Sequence, residues 1–412
     1  MKILMLGWEL PPHYVGGMGV VCDQLTKHLA RSGADIEFVL PFSADYSSVK
    51  HMKVTPAIMQ GTEVLMSSGS TYDSMRYSTT LADGTVVANG LYEQVEVFAQ
   101  NVQKLICYGE YDVIHAHDWL TFKAAMAAKK VTGLPLIAHV HATEFDRAGG
   151  KYGNPMVREL EYNGLHAADH IFAVSQRTKD TIVSQYNIDP QNISVSHNHM
   201  DIDPALLNET ENTFAYIQQL RSQGYQVVVN AGRMTIQKGV FHLLEAAKLV
   251  IEQRPKTVFL LSGGGEQIPE LLMKASELGI AQNVMFTGWV SGIGKQWRDA
   301  FRVADLFVMP SVSEPLGIAP LEAISYGAPA MVTKQSGISE VLKNILKVDY
   351  WDTTEMASQI CAVLDSKGLR DTLIQNAQAE HASMSWQPIA KKIMDKYHNV
   401  RRINALGAGA TL

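Results

Sequence analysis

Residues 227–239 read Val227-Val228-Val229-Asn230-Ala231-Gly232-Arg233-Met234-Thr235-Ile236-Gln237-Lys238-Gly239. A β-branched run ends in a glycine, a short polar stretch follows, and helical spacing begins beyond it. This is a buried strand, a tight loop and a helix, the unit from which parallel sheets are wound. The unit recurs downstream, with strands expected at 258–262, 284–287, 306–309 and 330–333, each leading into a helix. Upstream, an independent series offers strands at 2–7, 36–40, 113–117, 136–141 and 170–174, with helices such as 20–31 and 121–130 between them. A stretch at 54–86 alternates and carries turn residues, as a hairpin insertion would.

Two series mean two domains, and 412 residues are too many for one ordinary core. The polar stretch 208–223 puts a linker within about residues 200–225. The expected organisation is an N-terminal domain over 1–205, a second over 206–383, and a terminal segment over 384–412 that includes a helix at 386–402. The fold class is α/β, with two doubly wound parallel sheets facing across a cleft. Sheets of this kind take ligands beyond the carboxyl ends of their strands.

Composition narrows the partners. Hydrophobic residues make up 46% and charged residues 18%, the balance of a globular chain, and the net charge is -6. No Lys/Arg run stands out, so the basic stripe that duplex binding needs is missing and nucleic acid is not an expected partner. A local anion site stays open, because net charge does not speak to it. Cys22, Cys107 and Cys361 are odd in number and far apart, which fits a reducing compartment. The apolar run at 2–7 is too short for a signal sequence and reads as a first strand. No apolar run approaches the roughly 20 residues that span a bilayer. The expectation is a soluble, cytoplasmic protein with no membrane span; oligomeric state is not readable.

Three loops carry the chemistry. The first, 8–19, runs from a strand towards a helix through Gly16-Gly17-Met18-Gly19, where glycines let backbone N–H groups approach a phosphate. The spacing is not the Gly-x-Gly-x-x-Gly of dinucleotide binders, and a plain tight turn explains it equally well. In the second, Arg233 and Lys238 stand five positions apart at a strand end. Lys238 next to a helix start opposes the dipole, a conflict that a bound anion would resolve. The third is Met309-Pro310-Ser311-Val312-Ser313-Glu314-Pro315-Leu316-Gly317-Ile318-Ala319-Pro320-Leu321-Glu322. A helix expected to begin near Pro315 or Leu316 would present the N–H groups of Gly317 and Ile318. Glu322, five residues on, would lie ~7 Å along the axis, about the reach from a diphosphate to a ribose. The bland alternative for Glu322 is a solvated helix face.

Taken jointly and in order, these motifs resemble the large retaining glycosyltransferase family with the GT-B fold, glycosyltransferase family 4, which includes small glycogen synthases. The family's Glu-x(7)-Glu appears as Glu314 and Glu322, its basic pair as Arg233 and Lys238, its first glycine loop as Gly16-Gly17, and its strand-end histidine as His141. The resemblance implies a sugar-nucleotide donor and a carbohydrate acceptor. It assigns Arg233 and Lys238 to the donor diphosphate, Glu314 to hydroxyls of the transferred sugar, and the amides of Gly317 and Ile318 to phosphate. Glu322 would hold the ribose, His141 would meet the sugar near its 6-hydroxyl, and Gly17 would approach the diphosphate. Gly265 would lie near the nucleotide by strand order. The terminal helix would cross back to brace the first domain. No metal or other cofactor is implied, since two cations and a helix end can neutralise the leaving group.

Two departures stand out. Tyr14 occupies the place of a lysine found in some glycogen synthases, and His197-Asn198-His199 replaces a Pro-Asn-Gly. The stretches Trp8-Glu9-Leu10-Pro11-Pro12-His13 and 141–147 lean towards the glycogen and starch synthases. The expected reaction is therefore glucose transfer from ADP- or UDP-glucose to an α-glucan. The alternatives are a small sugar, sugar phosphate or lipid-linked acceptor, or a sugar-nucleotide epimerase of similar architecture. A further rival is a zinc hydrolase using the His-x-His pairs 115/117 and 139/141 with Asp118 and Glu144, because alternate strand residues share a face. It leaves the loops after 231 and 309 unexplained, and His115, His117 and His139 read more simply as structural or lining the cleft.

Overall fold

The computed structural model of the chain describes residues 1–14, 16–58, 63–66, 77–80, 86–88, 90–202, 204–207, 212–290 and 294–409. The chain divides into two compact units. One comprises Met1–Glu144, Tyr152–Asn198 and Ser385–Leu412; the other comprises Phe145–Lys151 and His199–Met384.

The described residues of the first unit include the strands β1 (Lys2–Leu6), β2 (Asp35–Leu40), β3 (Lys53–Pro56), β4 (Glu63–Met66), β5 (Tyr77–Thr80), β6 (Val86–Ala88), β7 (Val113–His117), β8 (Leu136–Val140), β9 (His170–Ala173) and β10 (Ile193–Val195). Seven form a parallel sheet in the order β10-β9-β8-β7-β1-β2-β3. β7 and β8 are buried at every position. Strands covered on both faces carry no alternation, which is why these segments read as continuous runs. β4, β5 and β6 make a separate antiparallel sheet, the hairpin insertion expected from 54–86. Residues 59–62, 67–76 and 81–85 of that insertion lie outside the described residues.

The last helix, Trp386–Gly409, runs seven residues beyond the expected end at 402 and packs on the helix Gly17–Arg31. Trp386, 1% exposed, donates its indole N–H to Gln24 Oε1 at 3.0 Å. Tyr397, fully buried, bonds through its hydroxyl to Nδ1 of His115 on β7. Among the described residues no helix is long and apolar enough to cross a membrane.

The second unit carries β11 (Gln226–Ala231), β12 (Thr257–Ser262), β13 (Val284–Gly288), β14 (Leu306–Met309), β15 (Ala330–Thr333) and β16 (Leu346–Val348). They form one parallel sheet in the order β13-β12-β11-β14-β15-β16. Val228, Phe259, Leu261, Leu306, Val308 and Met331 of this sheet share a core with Leu243, Leu244 and Val250 of helix Val240–Gln253 and with Met356 and Ile360 of helix Thr353–Asp365. The expected linker region is not structureless: helix Ala215–Ser222 lies within it and touches β11.

In each sheet the chain reverses its direction of winding at one place, between β1 and β7 and between β11 and β14. Loops leaving the carboxyl ends of the strands beside such a reversal diverge to opposite faces and leave a crevice. The three chemistry-bearing loops leave β1, β11 and β14, and His141 follows β8.

Candidate functional site

The second unit holds Arg233, Lys238, Gly265, Glu314, Gly317, Ile318 and Glu322. After β11 the chain makes a 3-10 turn, Ile236–Lys238, before helix Val240–Gln253. Gly239 joins them at φ 64°, and a Cβ there would stand 2.2 Å from the carbonyl oxygen of Pro310. Only glycine fits, so the β11 and β14 loops touch backbone to backbone. The amide of Val312 adds a bond to Gln237 O at 2.9 Å. Gly265 is equally constrained, since a Cβ would lie 2.2 Å from Met234 O.

This contact brings Lys238 and Glu314 together. The ammonium of Lys238 pairs with Glu314 Oε2, which also accepts from Ser311 Oγ at 3.0 Å. Glu314 is 6% exposed, and its backbone is tied to the β15 loop through Glu314 N to Gln335 O, 3.0 Å, and Gly337 N to Glu314 O, 2.9 Å. The Lys238 ammonium at the start of the helix thus faces the Glu314 carboxylate. Arg233 differs: half-buried at the end of β11, its guanidinium makes no hydrogen bond or ion pair among the described residues.

Two expectations for the third loop change. The helix is Ala319–Ser325, not one starting near Pro315, and Pro320 is the proline of its first turn. Gly317 sits at φ 88°, in the left-handed region, so the helix cannot begin before it. The amide of Ile338 bonds to Leu316 O at 2.7 Å, a further tie between this loop and the one after β15. Glu322 consequently falls in the helix's first turn, nearer its start than the expected ~7 Å. It is 7% exposed, and Oε1 accepts the indole N–H of Trp297 at 2.9 Å. Burial raises its pKa to about 8, against the lowering pull of that one hydrogen bond. A solvated helix face is therefore not its setting. Trp297, on helix Lys295–Arg302, carries no motif that would have singled it out.

The first unit holds Gly16, Gly17 and His141. Gly17, Met18 and Gly19 form the first turn of helix Gly17–Arg31, so the last three residues of the expected loop are helix. The donors at that end already face an anion of the chain itself: Glu9, 3% exposed, accepts from Gly16 N at 3.3 Å and Gly19 N at 3.0 Å. Glu9 was read only as part of the stretch 8–13 and given no role, because a carboxylate there matches no phosphate-loop pattern.

His141, half-buried after β8, belongs to an array of four histidines from two adjacent strands. His117 Nδ1 meets His141 Nε2 at 2.9 Å, and His115 Nε2 meets His139 Nδ1 at 3.2 Å. Desolvation, with the neighbouring imidazoles adding to it, holds His115, His117 and His139 well below the usual histidine range, so all three are neutral. His115, His117 and His139 offer nitrogens within 4.8 Å of one another, and Cys22 Sγ lies equally close to nitrogens of His117 and His141. The rings of the first trio, however, lie stacked at interplanar angles of 21–27°. Several of their nitrogens already have partners: His115 bonds through Nδ1 to Tyr397 and through Nε2 to His139, and His117 through Nδ1 to His141. Asp118 and Glu144 are also occupied: Asp118 Oδ1 accepts from His141 N at 2.7 Å, and Glu144 Oε1 from Asn154 N at 2.8 Å.

Comparison with known proteins bears on both units. The family model described as Glycosyltransferase Family 4 matches residues 15–204, and that described as Glycosyl transferases group 1 matches 212–380. An uncharacterized glycosyltransferase of Methanocaldococcus jannaschii is 27% identical, with 96% of this chain and 98% of that protein covered. A glycogen synthase of Mycobacterium tuberculosis is 24% identical, covering 98% and 95%. Among solved structures, Anabaena HepE in complex with UDP and glucose superposes with a TM-score of 0.71 over 97% of this chain and 100% of that one, at 19% identity.

Proposed function

We propose that this chain, which belongs to the glycosyltransferases with the GT-B fold, moves glucose from ADP- or UDP-glucose to an α-glucan with retention of anomeric configuration. The observation that carries the reading is the paired β11 and β14 loops: a guanidinium without a partner among the described residues, Arg233, five residues before an ammonium held against a buried carboxylate. A nucleoside diphosphate arriving there meets uncompensated charge at Arg233. It can also take Lys238 from Glu314, freeing that carboxylate to accept sugar hydroxyls.

In this reading Arg233 and Lys238 stabilise the charge that grows on the diphosphate as the bond from sugar C1 to phosphate oxygen breaks. The acceptor hydroxyl attacks C1 from the same face, and its proton passes to the departing phosphate. Gly317 and Ile318 are the candidate backbone donors to phosphate. Glu322 accepts the ribose diol, Gly265 leaves room for the nucleotide, His141 meets the sugar, and Gly16-Gly17 shapes the loop after β1. No step calls for a metal. The glucan acceptor draws support from the likeness to a glycogen synthase over nearly the whole chain, and glucose as the transferred sugar from the ligands of HepE. A cytoplasmic location fits a reaction that draws on a sugar nucleotide.

The product tests this. Proton NMR of glycogen or maltooligosaccharide extended with either donor is expected to show new α-1,4 anomeric signals. β-anomeric signals would contradict retention. Conversion of the sugar nucleotide without any acceptor would mark an epimerase instead.

A further inference from the structure

His117 is fully buried, one strand away from His141, and its side chain meets that residue directly. Its Nδ1 meets His141 Nε2 at 2.9 Å, its carbonyl accepts from Thr121 Oγ1 at 2.9 Å, and its ring stacks on His115 and on Phe38. The next residue, Asp118, adopts φ 57°, an uncommon conformation for a residue with a side chain. There its carboxylate reaches across to accept His141 N at 2.7 Å and Ala142 N at 3.4 Å. Strain of this kind persists only where the surroundings over-determine it, and it gathers at sites that position reacting groups.

From this geometry we infer that His117 is the positioning residue of His141, fixing both the orientation of its ring and which nitrogen carries the proton, while Asp118 fixes its backbone. The inference rests on His141 taking part in the transfer, as proposed above.

The tautomer follows from the far side of the His117 ring. Its Nε2 is buried without a hydrogen-bond partner. A proton placed there would be an orphaned N–H, and buried donors are left unpaired more rarely than acceptors. The proton therefore sits on Nδ1 and is donated to His141 Nε2, so neutral His141 carries its own proton on Nδ1. A phenyl ring at position 117 would keep the stack and remove this instruction; an asparagine amide would restore a donor close to the Nδ1 position.

The test is a double-mutant cycle on the full chain, reading kcat, the KM for the sugar nucleotide and the thermal midpoint. His117→Phe is expected to lower kcat roughly 10- to 100-fold, the scale of a reacting group displaced by about 1 Å, with little change in donor KM. His117→Asn is expected to recover most of that loss. In a His141→Ala background His117→Phe should cost nothing further. Additive losses, or an asparagine variant no better than phenylalanine, would assign His117 to packing and overturn the inference while sparing the site. A His141→Ala enzyme with unchanged kcat would overturn both.

Discussion

Glu322 is the residue whose ionisation the fold controls most openly. Its folded pKa of about 8 lies above the ordinary carboxylate value, so the folded state holds a proton that the unfolded chain releases. The associated stability is fully present below the ordinary carboxylate range, near pH 4.5, and is lost as pH rises to about 8. Glu322→Gln keeps an acceptor for Trp297 and removes the titration. Its thermal midpoint should gain on the wild type as pH goes from 5 to 8; a constant difference would remove the burial argument. The Lys238–Glu314 pair makes a second claim at this scale. If it is the donor's grip, Lys238→Ala and Glu314→Ala each lower turnover at least ~100-fold with circular dichroism unchanged. Near-wild-type rates in both would sink the assignment. Arg233, Lys238, Glu314 and Glu322 were visible in sequence through the residue types at loop ends. Trp297 and Glu9 were not, because each acts through a contact that sequence spacing does not encode.

At the scale of elements, Gly239 decides whether the β11 and β14 loops meet. Gly239→Ala places a methyl against Pro310 O and forces a side chain into the left-handed region. It should cost ~1–3 kcal/mol in urea denaturation, the range for strained backbone, and weaken donor binding by shifting Lys238. A variant of native stability and affinity would separate the loops' contact from their function. The same scale shows where sequence patterns reach and stop. Long buried runs such as 227–231 and 306–309 became β11 and β14 with ends shifted by at most one residue. The edge strands β10 and β16 escaped notice, having three residues each and half-buried positions that give no alternation. The start of helix Ala319–Ser325 was misjudged because Gly317, plain in sequence, acts through a backbone angle that composition does not reveal.

For the molecule as a whole, each unit closes its own core with elements distant in sequence. The first recruits helix Trp386–Gly409, whose Trp386 and Tyr397 are buried against Gln24 and His115. Trp386→Ala should cost ~3–5 kcal/mol, as large aromatic truncations in cores do, and lower the thermal midpoint; a loss under 1 kcal/mol would mean that the helix only rests on the surface. The second takes in Phe145–Lys151, where Asp146 accepts from Ser313 Oγ at 2.8 Å. Two sheets were legible from two runs of strand–loop–helix units, whereas this short excursion was not, since its partner lies 167 residues away. The central claim is that the chain transfers sugar from a nucleotide to a glucan. Its most direct measurement is release of nucleoside diphosphate from ADP-glucose, UDP-glucose and other sugar nucleotides, each with glycogen, maltose, glucose-1-phosphate or no acceptor. Release from one glucose donor that rises strongly with glycogen is the predicted result. Release that only a small acceptor stimulates would contradict the glucan, and no release from any donor would contradict the transferase itself.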